Sequence, residues 1–232
     1  MTTLFISDLH LSPNDPKLTQ DFFHFLDSQA KQAEALYILG DFFDYWIGDD
    51  DINDWINSVV TKLQILTQHG VKLYLMGGNR DFLLGHEFAK RVGGTKLSDP
   101  TLISLYGTPT LLVHGDALCT EDHAYQTFRA IVQNPLVKKL YLSLPLKWRR
   151  NIAHFLRKKS HASNQKKSYT LMDVSQTAVE KIIRRYNVLH LIHGHTHIPK
   201  VVEFKLDGKT ATRTVLGAWD HGVWVLMKEA IK

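Results

Sequence analysis

Residues 35–41, ALYILGD, decide how this chain folds, because a short apolar run ends abruptly in Gly40 and Asp41. The run is rich in β-forming side chains and has the length of a buried strand. The same pattern, an apolar run followed at once by polar residues, predicts four further strands, at 3–7, 72–76, 110–113 and 189–192. Five strand ends therefore present polar residues together.

Longer segments with helical spacing separate the early strands. They predict helices at 17–33, 51–69 and 82–92. Gly70 and Gly93 stand where the second and third of these helices would stop. After residue 197 the pattern changes to short strands joined by tight turns, at 201–206, 211–216 and 222–227, with Asp207-Gly208 marking a hairpin. The alternation predicts one layered α/β domain over residues 1–232.

Composition limits the class of protein. A chain of 232 residues with 44% hydrophobic content can bury one full core, and 28 Lys and Arg against 23 Asp and Glu favour no partner by global charge. The single cysteine, Cys119, forbids an intrachain disulfide and is expected to be a small buried hydrophobe. No apolar window approaches the roughly 20 residues needed to cross a bilayer, and residues 1–20 lack a leader pattern. These features predict a protein of the reducing cytosol.

The polar residues at the strand ends are mostly of metal-binding types. Asp8 and His10 lie two apart, so their side chains point the same way if the strand continues. Carboxylate, imidazole and amide donors without a thiolate favour a pair of Mn, Fe or Zn ions and exclude a cysteine-type structural zinc. Asp41 offers a carboxylate that two cations can share. One histidine taken alone is more often an ordinary hydrogen-bonded residue, but five strand ends together predict a two-metal site for phosphoryl displacement.

The motifs DLH, GD, GNRD, HGD and GHTH follow one another along the chain, each closing an apolar strand. In this order they resemble those of the calcineurin-like metallophosphoesterases. The resemblance implies an α/β fold, a four-layer αββα sandwich with the site above the carboxyl ends of the strands. It also implies two ligand sets that share a bridging Asp41: Asp8, His10, Asp41 and His197 for one metal, and Asp41, Asn79, His114 and His195 for the other. His193 lies outside this pattern.

Arg80 stands where many members of that family have a histidine. A guanidinium, with a pKa above about 12, donates protons poorly but clamps phosphate oxygens well. A phosphate monoester departs readily as an anion, whereas an alkoxide benefits from a general acid. Arg80 therefore favours cleavage of a pyrophosphate over a simple phosphoester. The alternative is that Arg80 merely pairs with Asp81 or Asp122.

Residues 123–172 contain no Asp or Glu but hold eleven of the 28 Lys and Arg residues. Apolar residues interleave with them at approximately helical spacing. The segment predicts a helical cap insertion at about 123–170 that lays apolar side chains into an anionic membrane surface while its basic side chains meet lipid phosphates. Two alternatives are that the apolar residues pack on the core beneath a basic face, or that the segment binds nucleic acid, against which its sparse aromatics argue.

Nearly the whole chain also resembles a narrower family, the UDP-2,3-diacylglucosamine diphosphatases of Gram-negative lipid A synthesis. The stretches that carry the resemblance are FISDLHL, LYILGDFFDYWIGDDD, GNRDFLLG, HGDALCTEDHAYQ, MDV and LIHGHTHIP. The resemblance implies a hydrolase that splits the pyrophosphate bond of a nucleotide-linked diacyl sugar into UMP and 2,3-diacylglucosamine 1-phosphate, with two divalent ions, most often Mn2+. It also implies a peripheral protein on the cytoplasmic face of the inner membrane, whose helical insertion caps the acyl chains.

The same resemblance assigns roles to single positions. Arg80 and His195 would be catalytic. Substrate contacts would come from Asn79, Arg80, Asp122, Ser160, Asn164, Lys167 and His195. Residues 158–168, KKSHASNQKKS, would otherwise be an ordinary surface loop. No nucleic acid and no obligate protein partner are predicted. The competing hypotheses are a metal-dependent phosphodiesterase of soluble nucleotides and a binding module without catalysis.

Overall fold

The computed structural model describes residues 1–164 and 173–230, and the side chains of residues 159–164 lie outside that description. Ten strands form two five-stranded sheets within the described residues. They are β1 (Thr2–Ile6), β2 (Ala35–Leu39), β3 (Lys72–Met76), β4 (Thr95–Lys96), β5 (Thr101–Leu105), β6 (Thr108–Leu112), β7 (His190–His193), β8 (Lys200–Leu206), β9 (Lys209–Val215) and β10 (Leu226–Glu229). Strands β1, β2, β3, β6 and β7 confirm the five predicted strands to within two residues.

Seven α-helices lie in the described residues: α1 (Pro16–Asp27), α2 (Asp54–Gln68), α3 (His86–Arg91), α4 (His123–Gln133), α5 (Pro135–Leu142), α6 (Leu146–Asn164) and α7 (Gln176–Tyr186). Helix α1 begins at Pro16 because the Asp15 carboxylate accepts the backbone N–H of Leu18 at 2.9 Å. Asn53 caps α2 in the same way, through the N–H of Ile56 at 2.9 Å. Local capping chemistry thus sets both helix starts.

Three predicted elements differ from expectation. The helix predicted at 17–33 ends at Asp27 and is followed by a single 3₁₀ turn, Ala30–Gln32. The helix predicted at 82–92 covers only His86–Arg91, because the Asp49 carboxylate accepts the backbone N–H groups of Gly85 and Phe88, each at 2.9 Å. The strand predicted at 222–227 is displaced along the chain: it covers Leu226–Glu229 and lies antiparallel to β1. The last two boundaries depend on contacts with residues distant in the sequence. The apolar residues within each segment do not reveal such contacts.

The parallel strands bring the predicted polar residues to one edge. The first sheet has the order β10-β1-β2-β3-β4, with β1 to β4 parallel. The second has the order β5-β6-β7-β9-β8, with β6, β7 and β9 parallel. Leu39 of β2 pairs with Met76 of β3, and Leu112 of β6 pairs with Ile192 of β7. The carboxyl ends of these strands therefore end level with one another in each sheet.

Three apolar clusters hold four layers together. Phe5, Leu39, Met76, Leu112, Ile192 and Leu216 form the cluster that both sheets share. The first sheet packs on α1 and α2 through residues such as Phe22 and Leu63, and the second sheet packs on α7 through Val179 and Ile183. Each fully buried side chain of this kind contributes about 1.5–3 kcal/mol relative to exposure. The order helix, sheet, sheet, helix confirms the predicted αββα sandwich.

Helices α4, α5 and α6, called the cap helices here, lie between β6 and β7 in the sequence. The predicted single domain with a cap insertion at about 123–170 stays a prediction, and part of that range lies outside the described residues. Among the described helices, none combines the length and apolarity that crossing a bilayer requires.

The cap helices are tied to the loop after β2 by arginine–aspartate pairs. Arg149, 2% exposed, pairs with Asp50 and also donates to the carbonyl oxygens of Ile47 at 2.8 Å and Leu144 at 2.9 Å. Arg150 pairs with Asp51. The Arg149 side chain therefore points into the protein, whereas that of Arg150 is 52% exposed, so the expectation that lysines and arginines of the insertion meet lipid phosphates is corrected for Arg149.

Candidate metal centre and substrate cavity

The predicted ligands lie on strained backbone. Five of them have left-handed φ angles: Asp8 (55°), His10 (54°), Asp41 (51°), His195 (69°) and His197 (63°). A residue with a Cβ in this region costs on the order of 1–2 kcal/mol. Such strain persists only when surrounding contacts dictate it, and here the backbone N–H of His10 donates to Asp41 O at 2.9 Å. Strain of this kind gathers at functional sites.

Glycines beside the ligands allow a very close approach. A Cβ at Gly78 would overlap the Asp41 carboxylate and backbone nitrogen. A Cβ at Gly194 would overlap Ser7 Oγ and Asp8 Oδ2. The glycines of GNRD and GHTH are therefore required because side chains of neighbouring strand ends fill the space that a methyl group would need.

The ligand side chains form two adjoining clusters. Asp8, His10 and His197 offer donor atoms that lie within 4.8 Å of one another, and so do Asp41, His114 and His195. Asn79 adjoins the second cluster, since its Oδ1 lies 3.0 Å from His114 Nε2. The structure thus brings all seven predicted ligands to one edge of the sheets.

Asp41 lies between the clusters. Its Oδ2 is 3.9 Å from His10 Nδ1, and its Oδ1 is 3.7 Å from His114 Nε2. Its Oδ1 also accepts the backbone N–H of Arg80 at 2.8 Å. One carboxylate therefore faces a histidine of each cluster, as a bridging ligand would.

The donor set fits divalent cations. Asp8 Oδ1 and His10 Nδ1 are buried polar atoms without a hydrogen-bond partner among the described residues, an arrangement that a bound cation would satisfy. Burial lowers the pKa of His10 well below its usual value and that of His195 to about 4, so both imidazoles stay neutral and can donate a lone pair. Burial, with Asp8 and Asp81 nearby, raises the pKa of Asp41 to about 7, which shows how much a compensating positive charge would stabilise its ionised form.

Asp81 fixes the loops that carry Asp41 and Asn79. This carboxylate is fully buried and accepts four backbone N–H groups: those of Asp41 (3.1 Å), Phe42 (2.8 Å), Phe43 (3.2 Å) and Gly78 (2.6 Å). It therefore joins the end of β2 to the end of β3. This role was not predicted from the sequence, although Asp81 stands in the GNRD motif.

Arg80 is held by Asp44, an aspartate that was not among the partners considered from the sequence. Its guanidinium donates to Asp44 Oδ1 at 2.8 Å, and its Nε lies 3.6 Å from Asp41 Oδ2. Asp44 also pairs with Arg157 of α6, through Nε at 2.9 Å. Arg80 is thus an immobilised cation beside the ligand clusters, and the carboxylate that holds it also binds a cap helix.

A cavity of about 1420 Å³ extends from the clusters under the cap helices. At one end it is lined by polar residues that include Asp41, Asn79, Arg80 and His195. Apolar side chains line it as well: Phe82 from the loop after β3, and Phe128, Val132, Val137, Ile152 and Leu156 from the cap helices. The cavity therefore combines an end suited to phosphate with walls suited to hydrocarbon.

The structure describes the positions of only some of the predicted substrate-binding residues. Asp122 lines the cavity and caps α4, accepting the backbone N–H of Tyr125 at 3.1 Å. Ser160 and Asn164 lie on α6, but their side chains are not described. Lys167 lies outside the described residues. Cys119 is buried, and burial raises its pKa to about 12, as a small buried hydrophobe requires.

A two-sheet sandwich with paired His and Asp clusters at the carboxyl edge of its strands defines the class of metal-dependent phosphoesterases. The chain belongs to the calcineurin-like phosphoesterase family, which matches residues 1–199. Its relatives include proteins named UDP-2,3-diacylglucosamine hydrolase. That of Edwardsiella ictaluri is 52% identical, covering 96% of this chain and 86% of its own length. That of Marinobacter nauticus is 50% identical, covering 97% and 93%.

Proposed function

We propose that this chain hydrolyses the pyrophosphate bond of UDP-2,3-diacylglucosamine to UMP and 2,3-diacylglucosamine 1-phosphate. The observation that carries the proposal is the cavity of about 1420 Å³, whose polar end meets the ligand clusters and whose walls include apolar side chains of the cap helices. A diphosphate suits the first part and two acyl chains suit the second. The names of the relatives with 50–52% identity agree with this substrate.

Seven side chains would hold two divalent ions. Their carboxylate, imidazole and amide donors suit Mn, Fe or Zn, and we propose manganese because the family resemblance implies it. Asp8, His10, Asp41 and His197 would hold one ion, and Asp41, Asn79, His114 and His195 the other. Bound ions would supply a water nucleophile of lowered pKa and would neutralise non-bridging phosphate oxygens.

Arg80 and His195 would be the catalytic residues beyond simple ligation. Arg80 would clamp a phosphate oxygen, because its guanidinium lines the cavity and is already oriented by Asp44. His195 would orient an equatorial oxygen of the phosphorus under attack. Arg80 stays protonated and supplies no proton, so the leaving group is expected to depart as the sugar phosphate anion.

The substrate would be held along the cavity. Asn79, Arg80 and His195 would contact the diphosphate, and Asp122, Ser160, Asn164 and Lys167 would bind the sugar and its phosphate. The cap helices would cover the acyl chains with Phe128, Val132, Ile152 and Leu156, which face the cavity. We propose the cap helices as an insertion, at about 123–170, in a single domain.

The outer face of the cap helices would contact an anionic membrane surface. The most exposed large apolar side chains of these helices are Leu136 (77%), Leu140 (69%), Phe155 (65%) and Trp148 (64%). Neighbouring exposed lysines, such as Lys139 and Lys147, would meet lipid phosphates. This contact would make the chain a peripheral protein of the cytoplasmic face of the bacterial inner membrane.

The purified chain, incubated with Mn2+ and the nucleotide-linked lipid in oxygen-18 water, is expected to place the label in UMP. Attack on the uridine-side phosphorus, in line with the bridging oxygen, gives this result. Label in the sugar phosphate would reverse the assignment of the attacked phosphorus. Faster turnover of short soluble diesters than of detergent-dispersed lipid would instead favour a phosphodiesterase of soluble nucleotides.

Replacing Arg80 with glutamine is expected to lower kcat/KM about 10²-fold, because a preorganised cation that touches the transition state is lost. Arg80→Lys should recover part of the loss, since charge is kept without the planar fork. Initial rates on the lipid substrate measure both effects. Arg184→Gln, which removes an exposed arginine paired with Asp207, serves as the control. Equal rates for wild type and Arg80→Gln would contradict the clamp.

A further inference from the structure

The imidazole of His195 is held differently from that of its neighbour His114. His114 Nδ1 makes a hydrogen bond with Leu39 O at 2.9 Å, and such a contact is the usual way to orient a metal-binding histidine. In the described part of the chain, neither ring nitrogen of His195 has a hydrogen bond, and its backbone N–H donates to Asp8 Oδ2 at 2.8 Å. The orientation of the His195 ring must therefore come from packing.

Two rings flank His195. The His114 ring meets it edge-on, with centroids 5.1 Å apart and an interplanar angle of 70°. On another side the Tyr125 ring lies nearly parallel to it, with centroids 6.3 Å apart and an angle of 28°. Both separations fall in the favourable range for ring contacts, about 4.5–7 Å. Tyr125 belongs to α4, so a cap helix supplies one wall of the slot that holds His195.

Tyr125 is itself fixed by a buried carboxylate. Its hydroxyl donates to Asp116 Oδ2 at 2.5 Å, and Arg129 Nε donates to the same oxygen at 2.8 Å. Asp116 is 2% exposed and lies two residues after His114. Gln126 adds a hydrogen bond from its side-chain amide to Asp116 O at 2.8 Å. Hydrogen bonds to a buried ionised acceptor are strong, so the Tyr125 ring has little freedom to move.

We propose that Asp116 and Tyr125 are positioning residues for His195. Asp116 fixes the Tyr125 hydroxyl, and the Tyr125 ring holds the imidazole where it can bind a cation together with Asp41 and His114. Ring packing replaces the hydrogen bond that orients His114. The same contacts join the first cap helix to the metal centre. This inference rests on the proposed two-ion site.

The test is equilibrium binding of Mn2+ to the metal-free full-length chain, measured by titration calorimetry. Tyr125→Leu is expected to weaken the binding of one of the two Mn2+ ions about 10-fold, as loss of an orienting contact usually does. The affinity for the other ion should be unchanged. Tyr125→Phe keeps the ring and should cost less than Tyr125→Leu. Asp116→Ala should weaken the same ion, and Asp116→Asn, which keeps one acceptor oxygen, should recover part of the loss. Tyr106→Phe, which removes a hydroxyl bonded to Thr3 Oγ1 at 2.8 Å, is the matched control.

A double-mutant cycle separates positioning from general damage. In a His195→Ala background, Tyr125→Leu should change Mn2+ binding no further, because its effect acts through the missing imidazole. Three results would each overturn the proposal. The first is an equal loss of affinity for both ions, and the second is an undiminished effect of Tyr125→Leu in the His195→Ala background. The third is unchanged Mn2+ binding in Tyr125→Leu and Asp116→Ala. A wild-type chain that binds no Mn2+ would refute the two-ion site instead.

Discussion

Replacing Asp41 with asparagine is expected to abolish hydrolysis, with kcat at least about 10³-fold lower. The Asp41 carboxylate is 1% exposed, and its two oxygens lie 3.9 Å from His10 and 3.7 Å from His114. An amide has one acceptor oxygen and no charge, so it cannot serve both clusters. The measurements are initial rates on the lipid substrate and the number of Mn2+ ions bound at saturation, which should fall below two.

The exposed Asp54, in the first turn of α2, supplies a matched control. Asp54→Asn makes the same chemical change away from the clusters and should leave both measurements unchanged. Wild-type turnover by Asp41→Asn after the metals have been removed would refute the two-metal interpretation, because the bridge would then be dispensable.

Replacing Asp81 with asparagine is expected to lower the free energy of unfolding by about 3 kcal/mol, because at least two buried backbone N–H groups lose their acceptor. Each Asp81 oxygen receives two of the four N–H groups, and the amide nitrogen of asparagine would face two donors with another donor. For a chain of this size the loss corresponds to a melting temperature lower by about 10 °C. Thermal unfolding followed by circular dichroism measures it.

Asp27→Asn is the stability control, since Asp27 is exposed and makes one ion pair, with Lys62. An exposed ion pair contributes about 1 kcal/mol or less to the free energy of unfolding, so the melting temperature of Asp27→Asn should be close to that of wild type. If Asp81→Asn melts within about 2 °C of wild type, the four hydrogen bonds do not hold the strand ends together as the structure indicates.

Much of the fold follows from local patterns. Apolar runs that end in glycine, aspartate or histidine predicted β1, β2, β3, β6 and β7. The caps Asp15 and Asn53 were not among the predictions, and the second helix, predicted from residue 51, begins at Asp54. Helix α1 ends at Asp27 rather than at residue 33. Helix α3 was predicted too long because a distant Asp49 bonds its first turn, and strand β10 was predicted four residues too early because pairing with β1 places it at Leu226–Glu229. Sequence-local signals therefore found the elements, and tertiary contacts set the boundaries of α3 and β10.

In the cap helices, too, the sequence shows which residues are present, and only tertiary contacts show where their side chains point. Their basic and apolar residues are visible in the sequence, but spacing alone did not separate the arginines that pair with aspartates from the lysines that remain exposed. Arg157 meets Asp44 across 113 positions, and Arg149 meets Asp50 across 99. Nor did spacing show that Ile152 and Leu156 face the cavity while Trp148 and Phe155 face outward.

By itself the sequence determined the layered α/β core, because strands and their polar ends are local properties of the chain, whereas the αββα sandwich and the candidate ligand set followed from the family resemblance that its motifs carry. Only the tertiary structure decided how these groups are held: Asp81 beneath two loops, Asp44 against Arg80, and Tyr125 beside His195. Those contacts join residues from different elements, and their distances exist only after the two sheets and the cap helices have packed together.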